Sequence, residues 1–178
     1  MSVRYYTVKA RVKLSIVKAL ENIRKRNGYN TDIKHAHRRR DVANRGADPP
    51  EIFLWFGRTG RQGDAMEGTN HIASRAMAMR VWYYTRAVVD LDLEADFLEG
   101  DIERALDCFE VYDEFGPGRR QIQTYFQDSR GAYFDGKKAE VLGYLDFEVR
   151  YRHRRDNPLI WDDQDEPVPI MLDDPNER

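Results

Sequence analysis

The stretch from Lys138 to Arg152 constrains the fold most, because small or apolar residues alternate along it with charged ones. Two of the positions in the charged half of this alternation are instead occupied by Leu142 and Tyr144. Alternation with period two is typical of a strand that has one buried face and one solvated face. Such strands belong to antiparallel or mixed sheets, so the chain must supply helices that cover the buried face. The small or apolar parity consists of Ala139, Val141, Gly143, Leu145, Phe147, Val149 and Tyr151.

Two segments have apolar residues at helical spacing and are predicted to supply that cover. The first spans about Val12 to Arg26 and ends at Asn27-Gly28, where glycine tolerates a positive φ. The second spans about Leu93 to Tyr112, and its acidic residues, Asp101 among them, are expected to be solvated. The predicted apolar positions are Val12, Ile16, Leu20 and Ile23 in the first helix, and Phe97 or Leu98, Ile102, Leu106 and Phe109 in the second.

The remaining segments predict further strands and their connections. A short strand is predicted over Thr31 to Lys34, and Asp135-Gly136 predicts a two-residue hairpin turn into the last strand. The glycine-rich stretch from Arg58 to Asn70 is predicted to be a mobile loop. The longer predicted strands are Glu51–Gly57, His71–Val89 and Gln121–Gln127. Because no βαβ alternation is present, the predicted class is α+β, an antiparallel or mixed β-sheet with two main helices packed on one face.

The chain is predicted to form a single α+β domain over residues 1–158 and an extended acidic C-terminal arm over residues 159–178. Prolines break the periodicity of the last stretch and acidic residues charge it, a composition that cannot close a core. Two apolar clusters, Leu159–Trp161 and Ile170–Leu172, lie between the acidic residues. We therefore expect the arm to run extended across a neighbouring subunit and to insert both clusters into shallow apolar pockets.

Composition argues against several classes of protein. A net charge of -2 over 178 residues provides no global field that would attract nucleic acid. The single cysteine, Cys108, excludes an intrachain disulfide and a cysteine-based zinc cage, and we expect it to be buried. No apolar run is long enough to span a bilayer, and the N-terminus lacks the apolar region of a signal peptide. We therefore expect synthesis in the cytoplasm and no membrane partner.

No catalytic motif is recognisable in the sequence. A nucleophile elbow, a phosphate-cradling loop, an HExxH helix and a paired-carboxylate setting are all absent from it. The glycines at Gly57, Gly60 and Gly63 lack the GxGxxG order. His35 and His37 would point to one side of a strand, but two ligands beside an arginine run are too few for a metal. The chain is therefore predicted to be no enzyme and to bind neither a metal nor a cofactor.

Four groups of residues are candidates for contact with a partner. The arginine run, residues 38–40, could contact an acidic protein surface or bind phosphates. The glycine-rich loop adds two further arginines. Several aromatic residues lie on the otherwise polar parity of their strands, and apolar patches on a solvated sheet face indicate a partner surface. The candidates are Arg38, Arg39 and Arg40, Arg58 and Arg61, Trp82, Tyr84 and Tyr144, and Trp161 in the arm.

The order of four sequence elements resembles a known family. An opening helix ends in NGYNTDI, and the apolar strand EIFLWFG precedes a glycine-rich loop. The long strand RAMAMRVWYY leads to GDIERAL on a helix, and a C-terminal hairpin ends in LDFEVRYRHRRDNP. Together these elements, over about residues 8 to 158, resemble the tail terminator or tail completion proteins of long-tailed bacteriophages, including the minor tail protein U-like group.

The resemblance implies an α+β protomer that assembles as a ring, usually a hexamer, and resides in the virion at the neck of the tail. Such a ring caps the finished tail tube and docks the head-side neck connector, so its partners would be its own copies, the tube protein and the connector. It implies no catalysis and no cofactor, and nucleic acid only as DNA passing through the lumen. A heterologous ring also needs two different exposed interfaces per protomer.

Two other functions remain open from the residues alone. The first is another neck or tail structural protein, such as a stopper or a tube component. The second is a nucleic-acid-binding module that uses the basic stretch Lys34–Arg40. A ring protein should be a large, salt-tolerant species, whereas a binding module should be a monomer whose DNA affinity falls with salt.

Overall fold

The computed structural model describes residues 4–37, 49–61, 72–86, 90–107, 111–116, 120–135, 140–162 and 164–170, with the backbone alone at 61 and 131–135. Two helices and a mixed five-stranded sheet make the predicted α+β class. The helices are α1 (Val8–Glu21) and α2 (Leu91–Ala105), and a 3₁₀ turn spans Lys25–Asn27. The strands are β1 (His35–His37), β2 (Glu51–Arg61), β3 (Ile72–Arg86), β4 (Gln123–Asp135) and β5 (Glu140–Arg154).

The strand order in the sheet is β1-β2-β3-β5-β4. Strand β1 pairs with β2 in parallel and lies at one edge, whereas the other three pairings are antiparallel. The predicted short strand over Thr31–Lys34 is displaced, because the residues that pair with β2 are His35–His37. Strands β3 and β5 pair along their whole length, from Ile72 opposite Arg154 to Arg86 opposite Glu140.

The period-two alternation of β5 is confirmed, and β3 repeats it in register. Met77, Met79, Val81 and Tyr83 on β3 are at most 1% exposed, as are Val141, Leu145 and Val149 on β5. These side chains share one hydrophobic core with residues of both helices. One face of the sheet therefore packs against the helices and forms part of the core. The alternate residues of each strand point to the opposite face, away from the helices.

Helix α1 begins four residues before its predicted start. Thr7 has an extended backbone and its hydroxyl accepts from the amide of Ala10 at 3.2 Å, so it caps the helix at Val8. The four predicted apolar positions are all 0% exposed, namely Val12, Ile16, Leu20 and Ile23. Gly28 has φ 85° and ends the 3₁₀ turn in the left-handed region, as the Asn-Gly pair predicts.

Helix α2 is shorter than predicted and is capped by Asp90, whose carboxylate accepts from the amide of Leu93 at 3.1 Å. Leu98 and Ile102 are buried, whereas Phe97 is 39% exposed, so the apolar stripe runs through Leu98. The helix ends at Ala105 because Leu106 leaves the helical conformation. The predicted positions Cys108 and Phe109 lie outside the described residues.

Asp101 is a correction to the expectation of a solvated acidic helix. It is 1% exposed, and its two oxygens accept hydrogen bonds from Asn30 and Thr31. The donors are the backbone amides of both residues, the Asn30 side-chain amide and the Thr31 hydroxyl, at 2.7 to 3.1 Å. A carboxylate that accepts four such bonds ties α2 to the turn after α1.

The hairpin between β4 and β5 is confirmed, but Asp135-Gly136 is not its two-residue turn, because Asp135 still pairs within the sheet. Asp135 is opposite Glu140, which leaves four residues between the closing pair, and residues 136–139 lie outside the described part of the chain. The strand predicted over Gln121–Gln127 begins at Gln123 and continues to Asp135 as β4, with register shifts after Phe126 and Arg130. Residues 58–61, predicted as loop, continue β2 beyond a register shift after Phe56.

The described part of the predicted arm packs on its own chain. Ile160 and Trp161 are 7% and 5% exposed, so this cluster is not available for a neighbouring subunit. Further along, Pro169 bridges to Tyr5 in an antiparallel sense, and the amide of Ile170 donates to the carbonyl of Arg4 at 2.8 Å. We use the name strap for residues 157–170. The rest of the predicted arm, 171–178, lies outside the described residues.

Candidate interaction surface

The sheet face that points away from the helices carries the aromatic residues that the sequence places on a polar parity. We call this surface the open face. Register brings Trp82 opposite Tyr144 and Tyr84 opposite Leu142, so four residues from two strands form one cluster. Arg80 of β3 is opposite Asp146 of β5, two positions along the strands from the Trp82–Tyr144 pair and on the same face. The open face comprises Phe53, Trp55, Ala76, Ala78, Arg80, Trp82, Tyr84, Leu142, Tyr144, Asp146, Glu148, Arg150 and Arg152.

Arg80 lies at the centre of the open face. Its guanidinium is 4.0 Å from the ring centre of Tyr144 and 5.7 Å from that of Trp82, and those two rings are 4.6 Å apart. It also donates two hydrogen bonds to Asp146, at 2.6 and 2.7 Å. The hydrogen bond to Asp146 raises the pKa of Arg80 above its usual value. A two-pronged pair of this kind holds the guanidinium in place beside the Tyr144 ring.

Two of the three aromatic candidates on the open face are buried in the single chain. Tyr84 is 1% exposed and Tyr144 is 6% exposed, whereas Trp82 remains half-buried. Burial raises the pKa of Tyr84, and a hydrogen bond with Glu140 raises it further. The Arg86 guanidinium lies 5.6 Å from the Tyr84 ring centre. Tyr84 and Tyr144 are therefore covered in the single chain, and Trp82 is the candidate of the three that a partner could touch.

A groove of about 480 Å³ lies beside this cluster on the open face. Its apolar lining includes Trp55, Ala76 and Ala78, and Arg58 is exposed beside them. The Trp55 ring lies over Gly57, where a Cβ atom would come within 2.9 Å of it. A glycine is required there because any side chain would push the indole out of place. The complete lining is Trp55, Arg58, Ala76, Ala78, Met79, Arg80, Gln127, Asp146, Phe147 and Glu148.

The other candidates are placed as follows. Arg61 is the last residue of β2, opposite Arg75, and its side chain lies outside the described part. Arg38, Arg39 and Arg40 also lie outside the described residues. Trp161 is buried in the chain's own core, so the structure brings together only Arg58, Trp82, Tyr84 and Tyr144 on the open face.

A buried ionic cluster at the strap escaped the sequence analysis. Arg11 is 0% exposed and pairs with Asp113 and Asp165, which are themselves buried. Asp113 also accepts from the Trp161 indole at 2.7 Å, and Asp165 from the Trp161 amide at 2.8 Å. Burial alone would lower the pKa of Arg11, but the hydrogen bonds to Asp165 and Asp113 outweigh it, so the pKa is raised.

The signal that could have revealed this cluster is the position of Arg11 in α1. It lies between Val8 and Ser15, both 1% exposed, on the stripe that faces the core. A charged residue on an apolar stripe needs a buried partner of opposite charge. The partners follow 102 and 154 residues later, so no local pattern identifies them.

The two histidines of β1 lie next to each other at the edge of the sheet. Their rings are 5.6 Å apart, and His37 stacks on Phe53 at 5.3 Å. Among the residues that the structure describes, no group of three or more histidine, cysteine, aspartate or glutamate side chains could hold a metal ion. No helix in the described part of the chain is long and apolar enough to cross a membrane.

The chemistry of the open face suits a protein partner better than a nucleic acid base. Stacking platforms offer bare aromatic faces to successive bases. Here Arg80 already covers Tyr144, and Asp146 neutralises that arginine. Tryptophan, tyrosine and arginine are enriched at the cores of protein interfaces. A search of protein-family models finds no match to this chain, and a search of curated proteins finds none either.

Proposed function

We propose that this chain is a structural virion protein, a tail terminator or completion protein whose ring caps the tail tube of a long-tailed bacteriophage. In this role it would act without catalysis or a cofactor, be made in the host cytoplasm and reside at the neck of the virion. Its partners would be its own copies, the tail tube protein and the head-side connector. The resemblance in the order of sequence elements supports the proposal.

The observation that carries the proposal is the open face. A sheet covered by helices on one side leaves its second side available for assembly, and that side carries Trp82, Trp55 and the Arg80 stack. Aromatic residues held rigid by neighbours lose little conformational entropy when a partner covers them. A protein with a purely solvated second face would carry charged and small polar residues there instead.

A nonsense codon early in the gene tests the proposed function in the phage that carries it. We expect lysates with tails that overrun their normal length and with heads that are not joined to them, visible by negative-stain electron microscopy. Expression of the wild-type chain in the host should restore joined particles of normal length. The same codon introduced into an unrelated nonessential gene is the control.

Three outcomes of that test would overturn the proposal. Lysates without any tubes would identify a tube component. Tails of normal length that fail only to join heads would identify a stopper. Joined particles of normal length would remove the chain from the tail altogether.

A further inference from the structure

The turn after α1 (residues 25–31) contains Asn27-Gly28, the one Asn-Gly pair in the sequence. Both residues are exposed to solvent. The side-chain amide of an asparagine can be attacked by the backbone nitrogen of the next residue, and glycine hinders this attack least because it has no side chain. The chemistry of the pair therefore makes it a candidate site for deamidation, a modification that needs no enzyme.

Deamidation begins when the backbone amide of Gly28 loses its proton to water or hydroxide. The nitrogen then forms a bond to Cγ of Asn27, the bond from Cγ to Nδ2 breaks, and ammonia leaves with a proton taken from water. The product is a five-membered succinimide ring. Water opens this ring at either carbonyl and leaves aspartate or isoaspartate at position 27. No electrons are exchanged, so water is the co-reactant.

In the folded chain both reacting groups are held by other partners. The Gly28 amide donates to the carbonyl of Lys25 at 3.0 Å. The Asn27 side-chain amide donates to the carbonyl of Asn22 at 2.9 Å. The attack requires both groups to leave these acceptors and to approach each other. The turn must therefore open before the reaction can occur.

Helix α2 holds the turn after α1 closed. Arg104 donates from Nη1 to the Gly28 carbonyl at 2.8 Å, and its guanidinium lies 4.8 Å from the Tyr29 ring centre. The buried Asp101 carboxylate accepts four hydrogen bonds from the two residues that end the turn. These contacts lie within four residues of Asn27, so opening at Asn27 is opposed from α2 as well as from α1.

We propose that Asn27 is a site of spontaneous deamidation and that α2 protects it. Asp101 and Arg104 keep the turn after α1 closed, so the modification occurs when this turn opens. Local openings need less free energy than unfolding of the whole domain, so a native protein passes through them repeatedly. The inference goes beyond the proposed function, because it depends on the protomer alone and on no partner.

The modified turn cannot re-form its original contacts. An aspartate at position 27 cannot donate to the Asn22 carbonyl, because an ionised carboxylate only accepts hydrogen bonds. Isoaspartate also lengthens the backbone by a methylene group, which displaces the Gly28 amide from the Lys25 carbonyl. Deamidated chains should therefore have a looser connection between α1 and α2.

Peptide mapping by mass spectrometry tests the proposal on the full chain, incubated at mildly alkaline pH with and without guanidinium chloride. The unfolded chain gives the unprotected rate at Asn27. We expect the folded wild type to react at least about tenfold more slowly. Asp101→Ala should accelerate the reaction of the folded chain about tenfold, because its turn opens more often. Neither this variant nor Arg104→Gln should change the rate in guanidinium chloride.

Arg104→Gln tests the protection with a milder change. The Arg104 side chain is exposed, so its replacement leaves the core intact, and the loss of its bond to Gly28 should accelerate the reaction several-fold. Glu103→Ala, at the neighbouring exposed position of α2, is the matched control and should leave the rate unchanged.

Gly143→Ala separates opening of the turn from a general loss of stability. A Cβ atom at this position would lie 2.2 Å from the Tyr83 hydroxyl oxygen, so the variant strains the sheet and not the turn. Its folded form should deamidate at the wild-type rate. Acceleration equal to that of Asp101→Ala would show that the reaction follows global unfolding and would overturn local protection.

Three further outcomes would overturn the inference. Folded wild type that reacts as fast as the unfolded chain would show that the fold does not protect Asn27. Unchanged rates in both Asp101→Ala and Arg104→Gln would remove α2 from the protection. An unfolded chain that forms no aspartate or isoaspartate at position 27 would exclude the site.

Discussion

At the scale of single residues, two buried polar contacts connect distant parts of the chain. Arg11 joins α1 to Asp113 and to the strap through Asp165. Tyr83 donates from its hydroxyl to Glu99 and so joins the middle of the sheet to α2. Burial raises the pKa of Tyr83, and the hydrogen bond to Glu99 raises it further. Both contacts place a polar group on a face that is otherwise apolar.

Replacement of Arg11 by methionine is expected to destabilise the protein by about 3–5 kcal/mol, because it leaves two buried carboxylates without a counter-charge. Denaturant unfolding measures this loss. Lys18→Met is the matched control, since Lys18 lies on the same helix as Arg11 and pairs with Glu114, but its side chain is 57% exposed. Equal small losses in both variants would show that the strap is not held by Arg11.

Gly143→Ala is expected to destabilise the protein by about 1–3 kcal/mol through overpacking. A Cβ atom at Gly143 would lie 2.2 Å from the Tyr83 hydroxyl oxygen, and that hydroxyl is held by Glu99. Gly60→Ala is the control, because a Cβ there meets no described atom within 4 Å. Thermal and denaturant unfolding report both. An unchanged midpoint for Gly143→Ala would mean that the Tyr83 ring moves aside freely.

At the scale of elements, periodic segments were predicted well and their ends less well. The alternation of β5 and the apolar stripe of α1 depend on solvent contact along the element itself, so a single segment of sequence suffices to identify them. The start of α1 at Val8 depends on the Thr7 cap. The end of α2 depends on contacts with other segments, since the Leu106 carbonyl accepts from the Thr124 hydroxyl of β4.

The residues of the open face were also predicted only in part, because one segment of sequence determines their face but not their contacts. Parity along β3 and β5 placed Trp82 and Tyr144 on one face, and pairing then made them neighbours. The exposure of these aromatic side chains could not be predicted from the alternation along a strand, because it depends on which neighbouring side chains cover them. Arg80 covers Tyr144, and Tyr84 contacts Arg86 and Glu140. The burial of Trp161 depends on Asp113, which is 48 residues away in sequence.

Asp101→Ala is expected to loosen α2 from the turn after α1 and to cost roughly 1.5–3 kcal/mol, because the buried donors of Thr31 and the donors of Asn30 lose a charged acceptor. Hydrogen exchange at the amides of Asn30 and Thr31 should accelerate together with the fall in stability. Glu103→Ala, on the same helix but exposed, should change neither. Unchanged protection at residues 30 and 31 would contradict the coupling.

At the scale of the whole molecule, the strap closes the chain on itself. The amide of Val8 donates to the carbonyl of Pro158, and that of Tyr6 donates to Val168, both at 2.9 Å. The N-terminal residues and the last described residues are thus hydrogen-bonded to one another beside the Arg11 cluster. The strap is acidic and rich in proline, so its composition did not indicate that Ile160, Trp161 and Asp165 are buried.

Truncation after Pro158 is therefore expected to destabilise the protomer by at least about 3 kcal/mol, because it removes two buried apolar side chains and one partner of Arg11. Truncation after Ile170 keeps those contacts and should leave the unfolding temperature within a degree or two of wild type. Thermal unfolding of both proteins measures the difference. A protomer of wild-type stability after truncation at Pro158 would show that the strap adds nothing to the fold.

The proposed closed ring, built through different surfaces of each protomer, is tested most directly by the native mass of the purified protein. We predict a salt-tolerant species of six times the 21.0 kDa chain, seen as a ring with an open lumen by negative stain. A 21.0 kDa monomer at every concentration, binding DNA in a salt-sensitive manner, would contradict the claim.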